Sequence, residues 1–226
     1  MKNSIFLFAI LCISSFLTFA QKGPLRGSGV IVSKNYSLKD FDKISFEDFD
    51  DQIEVEIGKP FSIRIDIDDN LAERLFVKKT DDGENQLKIG LKDNLNGKLY
   101  LENTHIKIKV TMPETSVIEH RGNSNLKISG IIGRYFRLKH QGNGGVILQG
   151  SIDNLDIDKL GNGNIHAETL EAKMAKVKNF GNGNIYMKVS VSLRANGAGN
   201  GSVFKSGTGR IEPLSGIVGN GSVQAN

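Results

Sequence analysis

The sequence predicts an all-β protein whose C-terminal half is a parallel β-helix with coils about 20 residues long. Three observations lead there. A Gly-Asn-Gly turn recurs through residues 116–226, every copy is followed by an alternating strand that starts on an aliphatic residue, and a second alternating strand precedes each turn at a matching offset.

The chain opens with Met1, Lys2 and Asn3, then runs apolar from Ile5 to Phe19 and reaches Ala20 before Gln21. One early positive charge, a short apolar core and a small residue before the cut mark residues 1–20 as a secretory signal peptide. A retained membrane anchor is the rival reading, but the run is shorter than the roughly 20 apolar residues of a spanning helix. Cys12 is the sole cysteine and lies inside this leader. Cleavage leaves a chain without thiols, which excludes disulfide staples and cysteine metal sites. The expected location is therefore outside the cytoplasm, in the periplasm or at the cell surface, with no membrane span after cleavage.

Residues 21–226 form one expected domain, since no proline-rich or serine-rich linker divides them. The net charge of +4 is mild and uneven, acid-rich over residues 40–73 and basic after Pro113. Neither block is dense enough to suggest a nucleic-acid partner.

The first part, residues 21–115, alternates in short runs. Phe41 to Phe46, Ile53 to Ile57, Phe61 to Ile67, Leu87 to Leu91 and Ile106 to Met112 read as strands, with Gly58-Lys59-Pro60 as a hairpin turn joining the second and third. Asp69 to Leu75 reads as one helical turn capped by Asp69 or Asn70. Gly27-Ser28-Gly29 before Val30-Ile31-Val32 resembles a degenerate copy of the later turn. This part is expected to cap or start the coil.

The repeats begin at Gly122-Asn123-Ser124-Asn125 and continue at Gly142, Gly161, Gly181, Gly199 and Gly219, in steps of 20, 19, 20, 18 and 20 residues. The first strand residue after each turn is Leu126, Val146, Ile165, Ile185, Val203 or Val223, and Ile128, Leu148, Ala167 and Met187 follow on the same side. Before the turns, Phe136 and Leu138, Leu155 and Ile157, Ala175 and Val177, and Leu193 and Ala195 point the same way. So short a repeat cannot bury its own apolar face and must stack. A β-meander is the rival, but its hairpins would reverse strand direction at each step and spoil the matching offsets.

Glycine at the turn supplies positive φ, and asparagine tolerates left-handed geometry while bonding to nearby backbone. Stacking then places Asn123, Asn143, Asn162, Asn182, Asn200 and Asn220 in one amide ladder. A phosphate cradle is a poorer reading, because such loops lead from a strand into a helix. So is a calcium site, because these turns carry no carboxylate.

Asp153, Asp156 and Asp158 invite a catalytic reading, that of a polysaccharide lyase on a β-helix. Offset alignment instead puts Arg137, Asp156 and Lys176 in one column and Glu119, Lys139, Asp158 and Lys178 in the next, a ladder of alternating sign that keeps carboxylates ionised. No catalytic residue, cofactor or metal is expected. His120 and His140 occupy equivalent offsets and read as a solvated or edge-packed pair, lacking the third ligand of a metal site. The outward position after the first aliphatic residue holds Ile147, His166, Tyr186 and Phe204. That row is the candidate contact for a glycan or a surface protein, with cross-strand stacking as the alternative.

The sequence resembles the putative auto-transporter adhesins with a head GIN domain. The likeness rests on Phe41-Asp42-Lys43-Ile44-Ser45, Ile53-Glu54-Val55-Glu56-Ile57-Gly58, Leu87-Lys88-Ile89, Ile108-Lys109-Val110-Thr111-Met112-Pro113 and the Gly-Asn-Gly turns. It implies a single-stranded, right-handed β-helix, exported or surface-bound, and brings no catalytic or binding residues with it. The expected function is a non-enzymatic adhesin-like binding module. The alternatives are a lyase-like enzyme on the same scaffold and a structural protein that self-associates through the open final coil, Ser222 to Asn226.

Overall fold

A computed structural model describes residues 24–80, 85–92 and 100–225. The signal peptide lies outside the described residues. Among the described residues no helix is long and apolar enough to cross a membrane.

The N-terminal part holds β1 (Leu25–Arg26), β2 (Ile31–Tyr36), β3 (Lys43–Phe49), β4 (Gln52–Ile57), β5 (Ser62–Asp68), β6 (Leu75–Lys79), β7 (Gln86–Leu91), β8 (Leu101–Glu102) and β9 (Lys107–Met112). It is followed by β10 (Val117–Gly122) and by four long strands, β11 (Asn125–Gln141), β12 (Val146–Leu160), β13 (Ile165–Phe180) and β14 (Ile185–Ala198). The chain ends with β15 (Val203–Ser206), β16 (Arg210–Ile211), β17 (Gly216–Val218) and β18 (Val223–Ala225). Apart from the β1–β8 pair, all belong to one sheet.

The long strands pair in parallel and in sequence order. Leu138 lies beside Ile157, Ile157 beside Val177 and Val177 beside Ala195, so identical offsets of successive repeats become neighbours. Each long strand runs unbroken through the two arms that the sequence suggested as separate strands. The pairing between the two arms shifts register at irregularities, such as the one between Ile128 and Ile131.

Beneath β11 the layer divides. Its first arm pairs in parallel with β4 and its second with β10, while β3 pairs below β10 and β9 below β4. Residues 43–57 thus form the layer under the first Gly-Asn-Gly turn. Both stacks then switch to antiparallel pairing, β6 on β7 and β5 on β9, with β2 antiparallel on β5.

Three expectations for this part are corrected. β4 and β5 do not form a hairpin: β9 lies between them, and the Gly58 N–H donates to the Met112 carbonyl at 2.9 Å. Gly27-Ser28-Gly29 does not act as a copy of the repeat turn, since the strand it leads into, β2, runs antiparallel to its neighbour. The turn at Asp69–Leu71 is 3-10, and Asp68 occupies its cap position without a side-chain cap bond. The buried Asp68 carboxylate instead accepts the Gly29 and His105 N–H groups at 2.8 and 2.6 Å.

The core is a set of continuous columns. One runs from Ile108 through Ile53, Leu126, Val146, Ile165 and Ile185 to Val203, all buried. Spacing along such a column is the interstrand distance of about 4.8 Å, so each apolar side chain is covered above and below by its equivalents.

Candidate functional site

The turns set the register of everything around them. Gly161 has φ of 132°, and a Cβ at Gly161 or Gly163 would collide with the carbonyl of Gly142 or Gly144 in the layer beneath. Glycine at these positions lets adjacent turns stack at strand spacing.

On that stack each turn asparagine donates to the one below. Asn143 Nδ2 reaches Asn123 Oδ1 at 3.0 Å, Asn162 reaches Asn143 at 2.9 Å and Asn182 reaches Asn162 at 2.8 Å. Asn200 reaches Asn182 at 2.7 Å and Asn220 reaches Asn200 at 2.9 Å. The foot of the series is a carboxylate: Asn123 Nδ2 donates to Asp50 Oδ1 at 3.3 Å. Burial raises the Asp50 pKa, opposed by this hydrogen bond. Sequence reasoning missed Asp50, because Phe49-Asp50-Asp51 has no Gly-Asn-Gly signature even though it forms the equivalent corner.

The outward row lies just past the turns. Ile147, His166, Tyr186, Phe204 and Gln224 are successive register partners. The His166 and Tyr186 rings stack with centroids 5.1 Å apart and planes within 9°, and Tyr186 stacks on Phe204 at 5.0 Å and 11°. Ile147 remains 42% exposed. Tyr186 is therefore held between two rings, while the outer sides of His166 and Phe204 adjoin Ile147 and Gln224. Two polar contacts steady it, His166 Nδ1 with Glu168 Oε1 at 3.2 Å and Asn184 Nδ2 donating to the Tyr186 hydroxyl at 3.2 Å.

Below this row lies a depression of about 350 Å³, lined among others by Gln52, Glu54, Asn125, Lys127, Ile147 and His166. Glu54 and Lys127 are register neighbours there.

Across the turn ridge the charged columns have the register expected from the offsets. The bonding is partly diagonal. Arg137 Nε donates to Asp158 at 3.0 Å rather than to Asp156, which accepts the Tyr135 hydroxyl at 3.1 Å. Lys139 pairs with Glu119 at 2.6 Å, Lys178 with Asp158 at 3.7 Å and Lys173 with Asp153 at 2.7 Å.

The histidine pair is corrected outright: His120 and His140 are buried, not solvated. They fall on the inward side of the alternation, in a column that continues through Lys159 to Asn179. Their Nδ1 atoms are 3.0 Å apart, and His120 Nε2 lies 2.7 Å from Ser124 Oγ. Burial lowers the His120 pKa to about 3, helped by His140. Burial also lowers that of His140 to about 4, helped by the charge of Lys159 and opposed by the Gly144 backbone, although His140 Nε2 makes no hydrogen bond of normal geometry. The buried Lys159 ammonium donates to the carbonyls of Gly161 and Gly183 and to Asn179 Oδ1, at 2.8, 2.9 and 3.0 Å. Burial brings its pKa down to about 8. Among the described residues no group of three or more His, Cys, Asp or Glu side chains could hold a metal ion.

The family model described as "Putative auto-transporter adhesin, head GIN domain" matches residues 40–209. No curated protein matches the sequence significantly. Among solved structures, a putative adhesin from Bacteroides fragilis superposes with a TM-score of 0.63 at 21% identity, covering 89% of this chain and 100% of that one. A putative lipid binding protein from Parabacteroides distasonis gives 0.55 at 21% identity over 90% and 100%. A putative adhesin from the same organism gives 0.51 at 17% over 90% and 100%. At these identities the likeness is one of fold.

Proposed function

The chain belongs to the putative auto-transporter adhesin, head GIN domain family, and from that membership we propose an exported, non-enzymatic, adhesin-like module. It binds a glycan or a surface protein through the outward row Ile147, His166, Tyr186 and Phe204. The observation that carries this reading is the stacking of three rings, in register and partly exposed, on one face of a rigid sheet. A row held this way loses little side-chain freedom when a partner covers it.

The scaffold in this proposal is a single-stranded β-helix. Parallel neighbours in a flat sheet need crossovers of a dozen or more residues, whereas only residues 161–164 separate β12 from β13. A strand that itself winds once round the axis removes the need for a crossover. Export rests on the leader at residues 1–20 and agrees with a mature chain free of cysteine. The non-enzymatic reading is favoured by the pairing of Asp153 and Asp158 with cations and of Asp156 with Tyr135. Carboxylates so held serve the sheet rather than a proton transfer.

The test is a glycan and polysaccharide array probed with the mature protein and with a Tyr186→Ala/Phe204→Ala double variant of unchanged unfolding temperature, with a turnover assay on every hit. Loss of binding in the variant supports the row as the contact. Equal binding by both proteins removes it, and release of cleaved product assigns an enzyme instead.

A further inference from the structure

The fourth turn position, next to the Asn ladder, holds Asn125, Gly145, Asn164, Asn184, Ser202 and Ser222 in successive coils. Its side chains form a second ladder, each accepting the main-chain N–H of the equivalent residue one coil on. Asn125 Oδ1 accepts from Gly145 at 3.0 Å, Asn164 from Asn184 at 2.8 Å, Asn184 from Ser202 at 2.8 Å and Ser202 Oγ from Ser222 at 3.1 Å. One rung is missing. Gly145 has no side chain, so the Asn164 N–H lacks the acceptor its equivalents have.

The fold does not demand glycine at 145. Its φ is outside the left-handed region, and an added Cβ would meet nothing closer than Asn125 Oδ1 at 3.2 Å, the end of a flexible side chain. At Gly144, one residue earlier, a Cβ would strike the Ser124 backbone. The missing side chain opens the 350 Å³ depression at the lower end of the outward row.

We infer that the notch at Gly145 binds a single neutral pyranose sugar. The inference rests on the outward row being the contact surface and names the ligand class at its lower end. Glu54 offers acceptors, while Lys127 and the Asn125 and Gln52 amides offer donors, the mixture that hydroxyls satisfy. Among the described residues neither Glu54 nor Lys127 makes an ion pair or hydrogen bond within contact distance, although the Lys109 charge also acts on Glu54. Glu54 lies in register between Lys109 and Lys127, and Lys109 is paired with Glu56 at 3.0 Å, so the Glu54 and Lys127 charges facing the notch select no net charge. Ile147 and the flank of His166 supply an apolar wall for ring C–H groups. The volume falls at the small end of ligand pockets. A larger depression of about 410 Å³ across the ridge is a poorer candidate, because its Lys139 and Asp158 are already paired.

The test is amide chemical-shift mapping of the folded protein titrated with glucose, galactose, mannose and N-acetylglucosamine, and with glucuronic acid and glucosamine as charged probes. Shifts should concentrate at Asn125, Gly145, Ile147 and His166. Gly145→Asn, which refills the rung, should abolish them without lowering the unfolding temperature, with Gly145→Ser as the second variant. Glu54→Gln should weaken binding about tenfold, the loss of one hydrogen bond to a charged acceptor. Absence of shifts with every neutral sugar, persistence in both Gly145 variants, or preference for a charged probe overturns the assignment. The Tyr186→Ala/Phe204→Ala variant should keep the monosaccharide shifts. If those shifts fail while array binding still depends on Tyr186 and Phe204, the row stands without the notch.

Discussion

His120 and His140 face each other Nδ1 to Nδ1 at 3.0 Å inside the stack, where only one proton fits between them. The next group along their column is the Lys159 ammonium, and below His120 lies Phe46. Nothing there welcomes a second positive charge.

Acid should therefore unfold the protein earlier than its carboxylates alone require. The folded pKa values, about 3 and about 4, lie below the unfolded value near 6.5, so the unfolded state binds more protons in between. The contribution is complete above pH 6.5 and is lost as pH falls toward 4, on the order of 3 kcal/mol for one histidine. Glu56, Asp66 and Asp68, whose pKa values are lowered, add their losses below about pH 4. Denaturant unfolding of the parent and of His120→Leu/His140→Leu between pH 7 and 4 checks this. A slope as steep in the variant as in the parent contradicts it.

The amide series allows a graded test. Asn162→Ala removes two amide bonds, to Asn143 and from Asn182, whereas Asn220→Ala removes only the bond to Asn200 among the described residues. At about 0.5–1 kcal/mol for each exposed bond, Asn162→Ala should cost roughly 1–2 kcal/mol and lower the unfolding temperature by a few degrees. Asn220→Ala should cost about half as much. Equal losses, or none, would mean that the amides solvate independently.

What was legible in the sequence followed from regular spacing. The columns through Leu126 and Ile157, the charged columns and the outward row all come from aligning offsets on one glycine. Failures occurred where the pattern carried no such marker. Residues 43–57 read as strands of the part that caps or starts the coil, but nothing marks their register under the repeats, because their corner uses Phe49-Asp50-Asp51 and takes its positive φ at Asp48, 59°, rather than at a glycine. The Gly58-Lys59-Pro60 hairpin failed because turn chemistry reports a reversal of the chain but not which strand inserts beside it. The burial of His120 and His140 was within reach, since both sit two residues from the inward Ile118 and Leu138. Their polarity obscures what the period of two implies.

Glycines within one turn should differ sharply in tolerance. At Gly163 an added methyl group would overlap the Gly144 carbonyl, and only backbone movement relieves it. Gly163→Ala should cost about 2 kcal/mol or more. At Gly145 the nearest atom is a movable side-chain oxygen, so Gly145→Ala should stay within about 0.5 kcal/mol of the parent or gain slightly by restricting the unfolded chain. Thermal unfolding of the two variants side by side decides it, and equal destabilisation would refute the account of both positions.

Lys159 offers a test at the opposite end of the pH scale. Its folded pKa of about 8 lies below the unfolded value near 10.4, so between them the unfolded chain again holds more protons and stability rises with pH. The neutral amine no longer bears the cost of burying a charge, yet it still donates two of the hydrogen bonds that tie the turn carbonyls of Gly161 and Gly183 to Asn179. Tyr36 and Tyr135, with pKa values raised by burial, act in the other direction only above pH 10, which sets the upper limit of the measurement. Unfolding free energy followed from pH 7.5 to 9.5 should climb in the parent and not in Lys159→Met. Because the comparison concerns slope, it survives any change in absolute stability from the three acceptors the variant leaves without that donor. Parallel profiles would show that the ammonium is not confined in the folded state.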